Sequence, residues 1–241
     1  MFDTNQLVAI LLSIPGVFLA LAVHECAHGY VSFRLGDPTA KNLGRLTLNP
    51  IKHIDPIGLI CMIFFRFGWA KPVPVNSRYY KKPRRDIALV AAAGPISNIL
   101  MCIAAVLLIH ILYLFYSFSA NAVPFYLMWY GALTVSPAFE MDLAAKIVLL
   151  LFIFLQQFAL LNVSLAVFNL VPIPPLDGSK IVYMLLPTRA YFKIVRYENV
   201  IRIVFFALLL FGALDGFLGS ASLWLLNWII YLVELIPFFR F

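Results

Sequence analysis

Charged residues are scarce in this chain of 241 residues. Only 12% of it is Asp, Glu, Lys or Arg, whereas 63% belongs to the hydrophobic set and the mean hydropathy is +0.94. Because soluble domains carry about a quarter charged residues, this composition excludes a cytosolic globular enzyme and a disordered chain. Cysteine is also rare, and Cys26, Cys61 and Cys102 lie in apolar stretches, which excludes a disulfide framework. We therefore expect a membrane protein.

Acidic residues are fewer still, at 11 against 18 Lys and Arg, and the net charge is +7. Seven of the basic residues lie between Arg66 and Arg85, beside hydrophobic runs. Basic loops next to apolar spans are the usual topogenic signal of membrane proteins, so this charge does not indicate nucleic-acid binding. The expected partner of the surface is the lipid bilayer.

Long apolar runs predict an all-α polytopic membrane protein with about five transmembrane helices. The predicted spans lie near 7–32, 87–116, 144–171, 198–218 and 221–239. Residues 56–65 are apolar but too few to cross, and short alternating pieces flank them, which predicts a re-entrant or β-hairpin segment after the first span. The chain is expected to be one integral-membrane domain over 1–241, with a core at 7–186 and a C-terminal helical hairpin at about 198–239.

Asymmetry of the basic residues predicts the orientation of these spans. Segments 34–86 and 178–202 hold nearly all the Lys and Arg, so both are expected to face the cytoplasm. The connection at 117–143 has none and is expected to face outward, as is the N-terminus. The predicted location is a cell membrane, with several passes.

A polar cluster interrupts the first predicted span, at His24, Glu25 and His28. Residues four apart share one face of a helix, so both imidazoles can reach a single metal ion. Glu25 lies about 100° round the helix from His24, near enough to act on a water molecule without being a ligand. Ionisable groups within a span are costly and usually mark function, so we predict a metal site here.

A catalytic zinc site needs a third protein ligand and an open position. Asp177 stands out, because it follows a proline-broken segment at the cytoplasmic end of the third long span, at the same depth as the two histidines. Asp37, Asp55, His53 and His110 are the other candidates that this reasoning leaves open.

Together these motifs resemble the site-2 protease family of intramembrane zinc metalloproteases, in its compact microbial branch without a PDZ domain. The resemblance rests on His-Glu-Cys-Ala-His at 24–28, Ala-Gly-Pro-Ile-Ser-Asn at 93–98 and Asn-Leu-Val-Pro-Ile-Pro-Pro-Leu-Asp-Gly at 169–178. It implies that His24, His28 and Asp177 bind one Zn²⁺ per chain and that Glu25 is the general base.

Three further polar residues are candidates for supporting roles. Asn98 and Asn169 could contact the substrate or the zinc-bound groups, although inter-helix hydrogen bonding explains them equally well. His53 could support a zinc ligand, and a structural role is its alternative. The region 44–75 is the candidate edge on which an extended substrate could pair by strand addition.

The expected function is that of an intramembrane zinc endopeptidase cleaving within or near the transmembrane segment of single-span membrane proteins, as in regulated intramembrane proteolysis. Three alternatives stay open: a transporter or channel with a mid-membrane polar site, a non-catalytic binding protein, and a zinc peptidase cutting soluble peptides or lipidated tails at the cytoplasmic face. The sequence predicts neither the identity of the substrate nor the oligomeric state.

Overall fold

The computed structural model describes residues 4–58, 61, 70–116 and 143–239, and within them the fold is helical. The α-helices with described bounds are α1 (Thr4–Arg34), α2 (Thr39–Asn42), α3 (Pro83–Tyr116), α4 (Leu143–Leu170), α5 (Asp177–Leu185), α6 (Thr188–Arg196), α7 (Glu198–Leu210) and α8 (Asp215–Glu234). Short 3₁₀ helices lie at Pro50–His53, Ser77–Tyr79 and Pro237–Phe239. The predicted all-α class is confirmed.

Four helices of the described ranges are long and apolar enough to cross a membrane, at Ser13–Arg34, Pro83–Phe115, Lys146–Leu170 and Asp215–Glu234. They coincide with the first three predicted spans and with most of the last. Their surfaces away from the bundle are apolar, as at Phe115, which is 73% exposed, so lipid is the natural solvent for them. The protein is a multi-pass membrane protein.

The fourth predicted span, at 198–218, differs from the structure. Helix α7 has 13 residues and ends at Leu210, and Gly212 then adopts a φ of +68° in the turn before α8. At 1.5 Å per residue such a helix is roughly 20 Å long, short of the bilayer's hydrocarbon core of about 30 Å. The sequence predicts a break at 219–220, between the last two spans, whereas the structure places the turn at 211–214, where the apolar run gives no sign of it.

Helix α3 lies at the centre of the bundle and packs against α1, α4, α5 and α8. Its start is favoured by Pro83 at the first helical position and by Asp86 in the first turn. Its buried face, with residues at helical spacing, meets matching faces of α4 and α8. These faces are formed by Cys102, Ala105, Val106 and Ile109 on α3, Phe152, Ala159 and Val163 on α4, and Leu226, Ile229 and Val233 on α8.

The predicted re-entrant segment falls largely outside the described residues, as does the connection at 117–143. On either side of the predicted re-entrant segment, Ile54 and Ala70 form an isolated antiparallel bridge, and the Lys71 N–H donates to the His53 carbonyl at 2.8 Å. The two ends of the segment therefore lie side by side, and the hairpin itself stays a prediction.

The extended piece after this bridge, at 71–76, is held by buried side chains of the segment that follows α1. Arg45 donates to the Lys71 carbonyl at 2.8 Å, and the Asn76 N–H donates to the fully buried Asp37 carboxylate at 2.7 Å. Burial raises the pKa of Asp37, but hydrogen bonds from Thr39, Asn76 and Ser32 more than offset it, and the net pKa is lowered. This piece is thereby fixed against the loop that follows α1.

Candidate metal centre

Two imidazoles of α1 and a carboxylate at the start of α5 converge at one point. The Nε2 atoms of His24 and His28 lie 3.0 Å apart. Asp177 Oδ2 lies 3.3 Å from the first and 3.1 Å from the second. All three side chains are buried, with residues 6%, 9% and 7% exposed. The three predicted ligands are thus brought together from two regions of the chain.

Two glycines make the close approach of the helices possible. A Cβ atom at Gly94 of α3 would lie 2.4 Å from His24 Cε1 and 2.5 Å from the Nε2 atoms of both histidines. A Cβ at Gly178 would lie 2.2 Å from the Leu170 carbonyl oxygen at the end of α4. Only glycine lets α3 pass beside the imidazoles and α5 turn back onto α4, which places Asp177 at the histidines.

Hydrogen bonds to the far side of each ring determine which nitrogen is free. His28 Nδ1 lies 2.7 Å from the Val90 carbonyl oxygen. A carbonyl can only accept, so this nitrogen carries the proton and Nε2 of the neutral ring presents a lone pair.

Hydrogen bonds through two buried asparagines determine which ring nitrogen of His24 carries the proton. The Phe158 carbonyl accepts from Asn162 Nδ2 at 2.8 Å, which fixes the orientation of that amide, and its oxygen, Asn162 Oδ1, accepts from Asn98 Nδ2 at 2.9 Å. Asn98 Oδ1 therefore faces His24 Nδ1, at 2.6 Å, and accepts a hydrogen bond from its N–H group. Nε2 of His24 is again the nitrogen with the lone pair.

The donor set fits a bound zinc ion. Two lone pairs and a carboxylate oxygen facing one another at 3.0–3.3 Å repel unless a positive charge lies among them. Zinc bonds of about 2.0–2.1 Å at a tetrahedral centre would separate two ligand atoms by roughly 3.3 Å. The three donor atoms lie within 4.8 Å of one another, and three protein ligands leave one position open for chemistry.

Glu25 lies beside this cluster without joining it. One of its carboxylate oxygens accepts from the Val73 N–H at 2.8 Å, in the extended piece 71–76. Glu25 and the three ligands line one cavity of about 400 Å³, together with Pro72, Val73 and Val75 on the side of that piece. The carboxylate is thus held next to the three candidate metal ligands at the wall of a space that a substrate could enter.

Sequence reasoning missed two residues of this site. Asn162 of α4 completes the hydrogen bonding to His24 through Asn98, and Lys180 donates to Asp177 Oδ1 at 3.1 Å while lining the cavity. The i,i+3 spacing of Lys180 from Asp177 was a usable signal. The partner of Asn98 had no local signal, because it depends on how α3 and α4 pack.

The remaining candidates have other environments. Asn169 lines the cavity and donates to the Leu165 carbonyl of its own helix at 2.9 Å. His53 is buried against the Thr47 carbonyl, 2.8 Å from its Nε2, and is not among the cavity-lining residues described. Asp55 accepts from the N–H groups of the turn that follows it, and His110 lies 2.8 Å from the carbonyl of the preceding helical turn.

Apolar spanning helices that bring two histidines and an aspartate together define a membrane metalloenzyme. A family profile described as "Peptidase family M50" matches residues 12–212, and the chain belongs to this family, the site-2 protease family. It is a zinc metalloprotease, as the sequence predicted.

Two curated relatives agree with this assignment. The chain is 37% identical to "Putative zinc metalloprotease YwhC" of Bacillus subtilis (strain 168) over 208 residues, which are 86% of this chain and 82% of the relative. It is 31% identical to "Putative zinc metalloprotease Rip2" of Mycolicibacterium smegmatis over 172 residues, which are 70% of this chain and 54% of that relative. No solved structure matches the chain significantly.

Proposed function

We propose that this protein is an intramembrane zinc endopeptidase that hydrolyses peptide bonds within or near the transmembrane segment of single-span membrane proteins. The observation that carries the proposal is the convergence of His24, His28 and Asp177 with Glu25 on one cavity, among helices whose outer surfaces are apolar. A protease site in such a setting draws its substrates from the bilayer.

His24, His28 and Asp177 hold the metal in this proposal, and Asn98 and the Val90 carbonyl orient the imidazoles. Zinc, when bound, supplies Lewis acidity that polarises a peptide carbonyl and acidifies a water molecule. Lys180 engages the outer oxygen of Asp177, so the inner oxygen is the one presented to the cluster.

Glu25 performs the proton transfers in this proposal. Its carboxylate takes a proton from the attacking water as the new carbon–oxygen bond forms at the scissile carbonyl. The same proton then passes to the leaving nitrogen as the carbon–nitrogen bond breaks, and Glu25 returns to the carboxylate form. The Val73 N–H keeps the carboxylate oriented toward the cavity between turnovers.

The substrate must present an extended backbone, because a helix hides its carbonyls in its own hydrogen bonds. Of the predicted edge at 44–75, the part lining the cavity is Pro72, Val73 and Val75. Pro72 and Pro74 lack an N–H and Val73 donates to Glu25, so Val75 supplies the donor on which a substrate strand would pair.

We further propose that the cavity faces the cytoplasmic side, that the N-terminus is outside, and that 1–241 form one domain. The concentration of Lys and Arg in 34–86 and 178–202 supports this orientation. A cysteine-accessibility assay on Lys52→Cys in intact cells tests it. Labelling by a membrane-impermeant reagent without lysis would contradict it.

Zinc content is the first test of the site. The purified wild type should hold about one zinc per chain, and His24→Ala and Asp177→Ala should each lose it. Glu25→Gln is the matched control, since it should keep the zinc and lose cleavage of a membrane-embedded substrate. Zinc retained in folded Asp177→Ala would show that another group is the third ligand. The absence of zinc from properly folded wild-type protein would favour a transporter or binding protein.

A further inference from the structure

We propose that α6 and the segment before α3 form a binding surface for the headgroups of anionic phospholipids. We call this surface the basic belt. It consists of the exposed side chains of Lys81, Lys82, Arg84, Arg189, Lys193 and Arg196. Its role is to anchor the end of the helical bundle that carries Asp177 at a lipid surface of negative charge.

Helix α6 has its basic residues on one side and its apolar residues on the other. Arg189, Lys193 and Arg196 follow one another at i, i+4 and i+7, which places them on one face. Tyr191 and Ile194 lie on the opposite face. No residue of α6 is buried by the protein. A short amphipathic helix with a basic polar face is suited to the membrane–water interface.

Apolar side chains on α6 and on the helix that follows it are exposed to the surroundings rather than packed. Phe192 is 63% exposed, and Ile203 on the following helix α7 is 69% exposed. In water such exposure would be unfavourable, whereas at a bilayer the acyl boundary covers it. The phosphate region of the lipids then lies at the level of Arg189, Lys193 and Arg196.

A contact between distant parts of the chain unites the two basic segments. The guanidinium of Arg84, at the start of α3, donates to the Thr188 hydroxyl at the start of α6, at 3.0 Å. Neither 56–85 nor 178–197 contains an acidic residue. Arg85 forms an ion pair with Asp86 and is therefore left out of the belt. The exposed basic side chains of the belt thus have no carboxylate within their own two segments.

The arrangement goes beyond what topogenesis requires. Orientation during insertion depends on the number of basic residues near the spans and not on their placement on one face of a folded helix. Clusters of four to eight Lys and Arg residues next to a span, or on an amphipathic helix, attract anionic lipids. Here both features occur in one surface.

Lipid selectivity of the intact protein tests this inference without reference to peptidase activity. The full chain is reconstituted in nanodiscs of equal phosphatidylglycerol and phosphatidylcholine, released in mild detergent, and its bound lipids are counted by native mass spectrometry. The wild type should retain phosphatidylglycerol preferentially. The triple variant Arg189→Gln/Lys193→Gln/Arg196→Gln should lower that preference at least about tenfold.

Two matched variants make the result decisive. Arg189→Lys/Lys193→Arg/Arg196→Lys keeps the charges and should keep the preference. Lys41→Gln/Lys52→Gln/Arg78→Gln removes the same charge from other exposed positions and should leave the preference within about twofold. An unchanged preference in the α6 triple would overturn the proposal and is the result expected if an acidic protein segment occupies the surface instead. An equal loss of the phosphatidylglycerol preference in the two charge-neutralised triple variants would overturn the proposal as well.

Discussion

The side-chain oxygen of Asn98 accepts a hydrogen bond from His24 Nδ1 over 2.6 Å, with both side chains buried. Because the amide nitrogen of Asn98 is committed to Asn162, the oxygen has no alternative orientation, and the histidine is held in one tautomer. A proposed metal ligand on a membrane helix is thus oriented by Asn98 of the neighbouring helix α3, and Asn98 in turn by Asn162 of α4.

Replacing Asn98 by Leu should weaken zinc binding, since the imidazole loses the acceptor that sets its tautomer. Outer-shell substitutions of this kind cost about 10- to 100-fold in metal affinity. Competition with a chelator of known affinity measures the change. Asn98→Asp retains an acceptor for His24 and should bind zinc more tightly than Asn98→Leu. Equal affinities for these two variants would contradict the role of the acceptor.

Replacing Gly94 by Ala should abolish zinc binding while α3 stays helical, because alanine favours a helix and the new methyl group meets the ligand nitrogens at 2.5 Å. Zinc per chain and thermal unfolding are measured together. Gly219→Ala is the matched control, since a Cβ there has nothing within 4 Å. A Gly94→Ala protein with full zinc content would show that α3 can move away from the histidines.

Replacing Lys180 by Met should leave the zinc in place and reduce cleavage on the order of tenfold, because Asp177 Oδ1 is released and becomes free to bind the metal as a second oxygen. The Co²⁺-substituted protein reports this directly, since a second carboxylate oxygen raises the coordination number and weakens the visible absorption bands. Lys180→Arg should keep the wild-type spectrum. Identical spectra for the Met variant and the wild type would rule out this role.

Asp37 should make the fold pH-dependent on the acid side. Its pKa is lowered in the folded protein, so its stabilisation is complete above the unfolded-state value of about 3.9 and is lost as the pH falls through the lower folded-state value. Asp37→Asn should lower stability by about 1–3 kcal/mol at pH 7, because a buried acceptor is lost. Unfolding midpoints from pH 7 to pH 3 check this. The difference in unfolding midpoint between the wild type and Asp37→Asn should narrow toward pH 3. A difference that stays constant with pH would contradict this role of Asp37.

The parts of this fold that follow from local patterns could be predicted, and the rest depends on packing. Charge-free apolar runs predicted the spanning helices, and the spacing of His24 and His28 placed them on one face because that relation is intrahelical. Asp177 was favoured as the third ligand from its depth and motif.

Asn162 shows why the remainder was missed. Its relation to Asn98 joins two helices across 64 positions, and their register is set by side-chain packing along α3 and α4 rather than by any repeat in the sequence. The break between α7 and α8 was predicted several residues too late for a related reason, since hydropathy averages over a turn as short as the one at Gly212.

In the proposed mechanism, the hydrogen bond between the Val73 N–H and Glu25 links the choice of substrate to the rate of the reaction. A peptide that pairs along 71–76 presses on the same backbone that orients the proposed base. Substitutions in 71–76 that change which substrate sequences are cleaved should also change the turnover rate of the substrates that are still cleaved. An engineer seeking a new specificity would therefore have to alter cavity-lining residues outside 71–76, such as Asn169 and Ile87.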